Sequence, residues 1–301
     1  MSAAETVLYD APGPRARRRH LIASVVAGVV VLAGLAVVVS RLNAQGQFAG
    51  ELWSPLLNPS NEDFPAVWRL LGEGLLATLK AAALAIVLSL AIGSVIGVAR
   101  MMLGRWSRVP LVGLVELLRG LPVVITIYFV SRVLPEVGVD LSPLPGGEGL
   151  WFLVIGLTLY NSVIIAEILR AGVSSLPRGQ REAALAVGLT PGATMRLVLL
   201  PQAVRVMLPA LISQVVVILK DTSLAAVLGI YIELLRQGNL ISLTLDNPIQ
   251  MLTVVGLIFI LLNYLLSKAA TLLERRLSRS STRGDDTATE ASAPLATTIK
   301  A

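Results

Sequence analysis

Residues 177–201 read PRGQREAALAVGLTPGATMRLVLLP and lie between two apolar segments. The first part predicts a short helix, Arg178–Val187, that stops at Gly188, because glycine readily adopts the left-handed conformation that follows many helices. Small side chains share one face of this helix, and they would allow another protein surface to approach closely: Ala183, Ala184 and Val187. The stretch therefore indicates a compact helical element with a surface suited to contact.

A second helix is predicted directly after Gly188. Thr190 is a suitable N-cap residue, and Pro191 fits the first helical position, where its missing N–H does no harm. We expect this helix to end near Leu200, because Pro201 disfavours the helical conformation in the residue before it. The two helices would form a hairpin that either packs on its own bundle or docks on another protein.

The composition around this hairpin is that of a membrane protein. Of 301 residues, 55% are hydrophobic and only 15% are charged, and the mean hydropathy is +0.77. Soluble domains carry about 25% charged residues, so this composition excludes a soluble globule. Cysteine is absent and His20 is the single histidine, which leaves almost no material for a metal site or a His-based catalytic set. We expect neither.

Six apolar segments are predicted to cross the membrane, since a bilayer core of about 30 Å needs roughly 20 apolar helical residues. They are Leu21–Ser40, Gly74–Ala99, Val109–Val130, Gly149–Leu169, Val206–Ile232 and Pro248–Ser267. In the second of these, Gly93 and Gly97 are spaced to allow close packing of another helix. The predicted fold class is an all-α integral membrane protein with six transmembrane helices.

The first apolar segment is longer than the core of a signal peptide and ends in a poor cleavage site, so we expect a retained helix. Around it the chain divides into a cytoplasmic tail at residues 1–20, the helix at 21–40 and an extracytoplasmic segment at 41–72. Residues 73–272 form the main transmembrane domain. Residues 273–301, rich in Ser, Thr and Ala, are predicted to be a disordered cytoplasmic tail.

The basic residues predict the orientation. When the six spans are counted from a cytoplasmic N-terminus, most of the 25 Lys and Arg residues fall on the inside. The outer segments contain only four of them: Arg41, Arg69, Arg132 and Arg236. Both termini are therefore predicted to be cytoplasmic. Topology and attraction to anionic lipid account for the net charge of +6, and no nucleic-acid partner is needed.

Charged residues inside a span are functional candidates, because they are costly to insert. Lys220, Asp221, Thr222 and Ser223 interrupt the fifth span, as in the broken helices that bind polar substrates in transporters. These four, with Glu167 and Arg119, are the candidate substrate path for an amino acid zwitterion. The alternative is that Lys220 and Asp221 neutralise each other, or pair with Glu167 and Arg119, to hold the helices together.

Arg119 has a second possible role. Glu116 lies one turn before it, and an ion pair within that helix is the favoured account. Glu167 and Arg170 lie near the inner end of the fourth span. There we expect each of them to pair with a charge on another helix rather than to contact the substrate.

A known motif is present in the hairpin. Glu182-Ala183-Ala184, Gly188 and Val198-x-Leu200-Pro201 match E-A-A-x3-G-x9-I-x-L-P except for the valine. The chain thus resembles permease subunits of ATP-binding-cassette importers, over about residues 70–272. Three more stretches resemble the polar-amino-acid branch of that family: Leu118–Pro122, Ala166–Gly172 and Lys220–Leu224. The N-terminal extension and its extra span are similar to those of actinobacterial glutamate permeases.

The resemblance implies a five-helix transport core preceded by one extra helix, and a hairpin that sits in a groove of a separate ATPase subunit. The residues implied at or beside that contact are Arg181, Glu182, Ala183, Ala184, Gly188, Leu200 and Pro201. No Gly-Lys dipeptide occurs in the chain, so the phosphate-binding G-x4-G-K-[ST] loop is absent. ATP and Mg²⁺ would be bound by the ATPase, and this chain would be neither an enzyme nor the holder of a cofactor.

The implied complex contains two ATPase copies, a second permease subunit that is identical or homologous, and an extracytoplasmic amino-acid-binding protein. It would import glutamate, glutamine or similar amino acids across the cell membrane. One alternative is a secondary transporter driven by an ion gradient, which predicts an internal repeat that we do not find. Another is a membrane enzyme, which would need a clustered catalytic set.

Overall fold

The computed structural model describes residues 13–290, and side chains up to residue 272. This part of the chain consists of helices and short connections. In order these are α1 Pro14–Ala44, α2 Gly50–Leu57, α3 Phe64–Met102, α4 Arg105–Gly120, α5 Val123–Glu136, α6 Glu148–Ser175, α7 Arg178–Ala186, α8 Pro191–Thr194, a π turn Met195–Leu199, α9 Leu200–Asp221, α10 Leu224–Leu228, α11 Leu234–Leu245 and α12 Pro248–Glu290.

The predicted all-α membrane fold is confirmed, with one correction to the third span. Five helical stretches are long and apolar enough to cross a bilayer, and α4 with α5 would make a sixth. The span predicted at Val109–Val130 is broken between α4 and α5, where the helical path bends by 108°. Pro122 lies at this break and explains it, because proline has no N–H to donate and disfavours the helical conformation of Leu121 before it.

Three helix ends differ from the predicted boundaries. Helix α1 begins at Pro14, inside the stretch predicted as a tail, because Pro14 takes the first helical position ahead of a run of arginines. Helix α3 begins at Phe64, well before Gly74. Helix α12 continues to Glu290, into the tail predicted to be disordered from residue 273, since residues 269–279 are mostly good helix formers. Residues 1–12 and 291–301 of the two predicted tails lie outside the described residues.

Helix α6 is the centre of the bundle. Its Leu153, Leu157 and Ile165 are almost fully buried, and they pack in one cluster with Ile127 of α5 and Ile218 of α9. Lipid is as apolar as these side chains, so close packing rather than escape from water holds such helices together. Helix α1 is the opposite case, because none of its residues is buried.

Small residues bring α3 and α6 into close contact, as the spacing of Gly93 and Gly97 predicted. A Cβ atom at Gly93 would lie 2.6 Å from the backbone oxygen of Ser162, and one at Gly97 would lie 3.1 Å from that of Ala166. No larger side chain fits at Gly93 without moving α6. The glycine pair therefore fixes the distance between the two helices.

A buried carboxylate organises the start of α11. Glu233 is fully buried and caps the helix, accepting hydrogen bonds from the backbone N–H groups of Leu235 (2.9 Å) and Arg236 (2.8 Å). Burial raises the pKa of Glu233, although these two donors act in the opposite direction. Thr78 of α3 accepts a hydrogen bond from the backbone N–H of Leu234 (3.1 Å), which ties α11 to the bundle.

Candidate functional site: the interhelical hairpin and the charges of the bundle

The first arm of the hairpin ends at the turn predicted for Gly188, and its helix is one residue shorter than predicted. Helix α7 stops at Ala186, and Gly188 adopts a φ of 86°. The N–H of Gly188 donates to the carbonyl of Leu185 (3.0 Å), and that of Leu189 donates to Ala184 (3.2 Å). These two bonds form the Schellman motif that closes many helices. A residue with a side chain at position 188 would strain the backbone at this φ. The turn between the two arms of the hairpin therefore depends on Gly188.

The second arm begins as predicted but does not end at Leu200. The hydroxyl of Thr190 accepts the N–H of Ala193 (3.3 Å), and Pro191 starts α8. A π turn at Met195–Leu199 then joins α8 to α9 without a break in the helical path. Pro201 lies in the first turn of α9, where a missing N–H is tolerated. The π turn shifts the hydrogen-bond register, so the proline did not end the helix.

The predicted coupling residues differ in exposure. Five are exposed to solvent in this chain: Arg181, Glu182, Ala183, Gly188 and Pro201. Leu200 is half-buried, and Ala184 is only 6% exposed because it faces the second arm of the hairpin. The single small-residue face predicted for Ala183, Ala184 and Val187 is therefore wrong: Ala184 packs within the chain, whereas Val187 is 79% exposed.

Exposed apolar side chains surround the tip of the hairpin. Leu185 and Val187 are both exposed beside Glu182 and Ala183. Neighbouring exposed apolar side chains with a polar rim are typical of a surface that contacts another protein. The structure thus leaves the hairpin packed on one side and open on the other.

An ion-pair cluster lies where α3, α4 and α6 approach the hairpin. Glu167 accepts a hydrogen bond from Arg100 (2.8 Å, Nη1 to Oε2) and one from Nε of Arg170 (2.9 Å). Arg100 also lies 3.6 Å from Glu116, which in turn lies 3.9 Å from Arg119. These five residues form one alternating chain of charges, referred to below as the charge cluster.

The charge cluster changes the interpretation of two predicted substrate residues. Glu167 and Arg119 are both engaged in ion pairs, and the predicted pair between Glu116 and Arg119 is confirmed. Glu167 pairs with Arg170 within α6 and with Arg100 across to α3. The ion pair of Arg100, which directly follows the predicted second span, was not predicted. Its partner Glu167 lies 67 positions away, and no local pattern indicates such a contact.

The predicted interruption at Lys220–Ser223 is shorter than expected: Lys220 and Asp221 complete the last turn of α9, and only Thr222 and Ser223 lie between α9 and α10. The hydroxyl of Thr222 donates to the carbonyl of Leu219 (2.7 Å), and that of Ser223 donates to Lys220 (2.8 Å). Lys220 is exposed, Asp221 is partly buried, and neither forms an ion pair within 4.0 Å of any described residue. Among the described residues, no ion pair joins Lys220 and Asp221 to each other or to Glu167 and Arg119, although the two opposite charges are neighbours in sequence and attract each other.

A buried amide pair joins α6 to α9 and was not predicted. Nε2 of Gln214 donates to Oδ1 of Asn161 at 2.6 Å, and Nδ2 of Asn161 donates to the carbonyl of Leu157. Asn161 and Gln214 are uncharged, so the search for charged residues inside the spans did not select them. A polar group buried in a membrane helix nevertheless needs a partner. The pair fixes the helix that carries the interruption to the centre of the bundle.

Comparison with known proteins gives consistent matches. Residues 89–279 match the family described as binding-protein-dependent transport system inner membrane component. The glutamate transport system permease protein GluD of Corynebacterium glutamicum is 37% identical over 240 residues, covering 78% of this chain and 83% of the relative. The glutamine transport system permease protein GlnP of Escherichia coli K12 is 36% identical over 220 residues, covering 71% and 97%.

Two solved structures are similar in fold. One, titled as an amino acid ABC transporter with histidines, has a TM-score of 0.63 and 28% identity, covering 71% of this chain and 96% of that chain. The MetNI methionine ABC transporter in an inward-facing conformation has a TM-score of 0.60. Its identity is 23%, so it supports the fold alone, over 70% of this chain and 97% of that one.

Proposed function

Because this chain belongs to the family of binding-protein-dependent transport system inner membrane components, we propose that it is the permease subunit of an ATP-driven importer of polar amino acids. The relatives are named as glutamate and glutamine permeases, which supports glutamate, glutamine or a similar amino acid as the substrate. The chain is a multi-pass membrane protein, and its basic residues support cytoplasmic termini.

The hairpin is the observation that carries the proposal. It presents Glu182 and Ala183 on an open surface between two membrane-spanning helices, while Ala184 packs on the second arm and the Schellman turn at Gly188 fixes the bend between the two arms. A rigid, exposed element in that position suits contact with a separate ATPase subunit. We infer that Glu182 and Ala183 contact the ATPase and that Gly188 sets the shape of the element.

Motion of the hairpin has a direct route into the bundle. Helix α8, the π turn, α9 and α10 form one continuous path, Pro191–Leu228, that crosses the membrane. The path begins in the hairpin and contains the interruption at Lys220–Ser223. When the ATPase pair closes on ATP, a displaced hairpin would carry α9 with it and alter access to the unpaired Lys220 and Asp221. π turns often occur at functional sites in helices, which agrees with this route.

Lys220 and Asp221 suit the two charged ends of an amino acid zwitterion. Each lacks an ion-pair partner in the described chain, so an ammonium or carboxylate group of the substrate could supply the missing charge. Glu167 and Arg119, the other predicted path residues, are engaged in the charge cluster. We therefore place substrate contact at Lys220 and Asp221 and give the cluster a structural role.

The proposed importer contains further subunits besides this chain. A permease of this family works with a binding protein, which would deliver the substrate to the outer side. Two ATPase subunits would bind ATP and Mg²⁺, and a second permease, identical or homologous, would present a second hairpin. Membrane lipid surrounds the assembly.

Uptake in cells tests the proposal. Radiolabelled glutamate, glutamine, aspartate and a non-polar control would be offered to cells that lack the gene and to cells with it restored, each with and without the ATPase subunit. We expect uptake of a polar amino acid that needs both chain and ATPase and survives an ionophore while ATP is maintained. Uptake that persists without the ATPase and collapses with the ionophore would establish a secondary transporter instead.

A further inference from the structure

A basic cavity of about 350 Å³ lies beside the hairpin, enclosed by the ends of α3 and α6, the start of α4 and both hairpin arms. It is lined by five arginines and by no acidic side chain: Arg100, Arg108, Arg170, Arg178 and Arg181. The role proposed above for the hairpin makes no use of this concentration of positive charge.

Only part of this charge is compensated within the described chain. Arg100 and Arg170 pair with Glu167. Arg108, Arg178 and Arg181 have no carboxylate within 4.0 Å among the described residues. The cavity is therefore strongly positive, and it gains by holding an anion.

Two buried donors at the cavity lack partners. Nε of Arg100 and the hydroxyl of Thr194 are buried without a hydrogen bond, on side chains that line the cavity. Thr194 is 1% exposed and Arg100 is 9% exposed. Buried polar groups in proteins are nearly always hydrogen-bonded. Both donor atoms are covered by protein, so a ligand with several acceptor oxygens would bond them after a small shift of these side chains toward the cavity. Two such donors in one wall distinguish the cavity from a diffuse basic surface.

The remaining lining indicates the kind of anion. Planar guanidinium groups suit the oxygens of a phosphate, and several arginines in one cavity favour that group. Met101, Met102 and Leu176 add apolar surface next to the arginines. Trp106, which is 86% exposed, lies on α4 near Arg108, and tryptophan is enriched at the level of lipid headgroups.

We propose that this cavity binds the phosphate group of an anion, and that an anionic phospholipid headgroup is the form it takes in the membrane. Basic pockets between membrane helices on the cytoplasmic side are known to bind such headgroups. A lipid in this position would contact both α4 and the hairpin. It would stabilise the position of the hairpin relative to α4, independently of which amino acid is transported.

Lipid binding by the purified full-length chain tests this site. The chain would be titrated in detergent with phosphatidylglycerol, with bound lipid counted by native mass spectrometry and stability followed as the unfolding midpoint. The test variant combines Arg108→Gln and Arg178→Gln, both exposed and unpaired, so folding should be retained. The matched control is Arg105→Gln, since Arg105 is exposed on the same helix but does not line the cavity.

We expect the affinity of the double variant for phosphatidylglycerol to fall by at least about tenfold. The control should bind the lipid as the unaltered chain does. Phosphatidylcholine, which carries no net charge, should not substitute. Displacement of the lipid by millimolar inorganic phosphate would support recognition of the phosphate group. Binding of inorganic phosphate but not of phosphatidylglycerol would keep the phosphate chemistry and overturn the lipid source.

Two results would overturn the site itself. Equal loss in the Arg105→Gln control would show diffuse attraction, and unchanged lipid binding in the double variant would show that the cavity is not used. None of these readouts depends on uptake, so failure of the lipid site is distinguishable from failure of the importer assignment.

Discussion

Two groups of charged residues in the bundle differ in how their charge is compensated. In the charge cluster near the hairpin, the carboxylates of Glu116 and Glu167 pair with three arginines at 2.5–3.9 Å: Arg100, Arg119 and Arg170. Lys220 and Asp221, at the interruption of the fifth span, have no such partner among the described residues. Charge inside a membrane protein is expensive, so each group must be explained by what offsets it.

The contrast between the paired cluster and the unpaired Lys220 and Asp221 indicates which charged residues are candidates for substrate contact. The carboxylates of the cluster offset most of the charge of its arginines and link α3, α4 and α6. Lys220 and Asp221 form no ion pair in the described chain, so their charged groups remain available to a substrate, to water or to another subunit. An intramembrane charge is therefore a functional candidate chiefly when the folded chain leaves it unpaired, and position within a span is a weaker guide.

The largest effect on stability is expected at the centre of the cluster. Glu167→Gln leaves the guanidinium of Arg100, whose side chain is 10% exposed, with only the more distant Glu116. Removing one partner of a buried ion pair costs about 3 kcal/mol at the low end of the known range. The unfolding midpoint in detergent should fall markedly, while uptake per inserted molecule changes little. A strong loss of uptake with an unchanged midpoint would place Glu167 in the substrate path instead.

A smaller effect, on transport rather than stability, is expected at the interruption. Asp221→Asn and Lys220→Gln each remove a charge that forms no ion pair in the described chain, so insertion and the unfolding midpoint should be preserved. Loss of one charged contact to the substrate corresponds to about tenfold slower uptake, or roughly 1.4 kcal/mol. Uptake kinetics in membrane vesicles would check this. Equal loss of stability and uptake would contradict the contrast between the two groups.

The smallest effect is expected at the exposed end of the cluster. Arg119→Gln removes only a 3.9 Å contact between two side chains that are each more than half exposed. Such pairs contribute about 0.5 kcal/mol or less. Both midpoint and uptake should remain close to those of the unaltered chain. A loss as large as that of Glu167→Gln would mean that the cluster acts as a single unit.

Sequence reasoning succeeded where structure is local. Gly188, Thr190 and Pro191 specify the turn of the hairpin through their own backbone preferences, and the apolar segments specify spans by composition alone. It failed where distant parts of the chain decide. Ala184 is buried because the second arm packs on it, and Arg100 is paired because α6 brings Glu167 beside it.

The prolines show the same limit. Pro122 breaks the third span, yet the second arm passes into α9 without interruption despite Pro201, because a π turn shifts the hydrogen-bond register there. Both are preceded by leucine, at positions 121 and 200. The outcome depends on how the neighbouring helices pack, and a single sequence does not contain that information.

The central claim is that the exposed hairpin, rather than any charge inside the bilayer, connects this chain to its source of energy. ATP hydrolysis and amino acid uptake, measured together in proteoliposomes that contain the ATPase and the binding protein, test it most directly in the Glu182→Lys variant. Glu62→Lys, an equally exposed residue between α2 and α3, is the matched control. We predict that Glu182→Lys loses uptake and substrate-stimulated hydrolysis while its unfolding midpoint and the control stay unchanged. Full uptake and stimulation in the Glu182→Lys variant would contradict the claim.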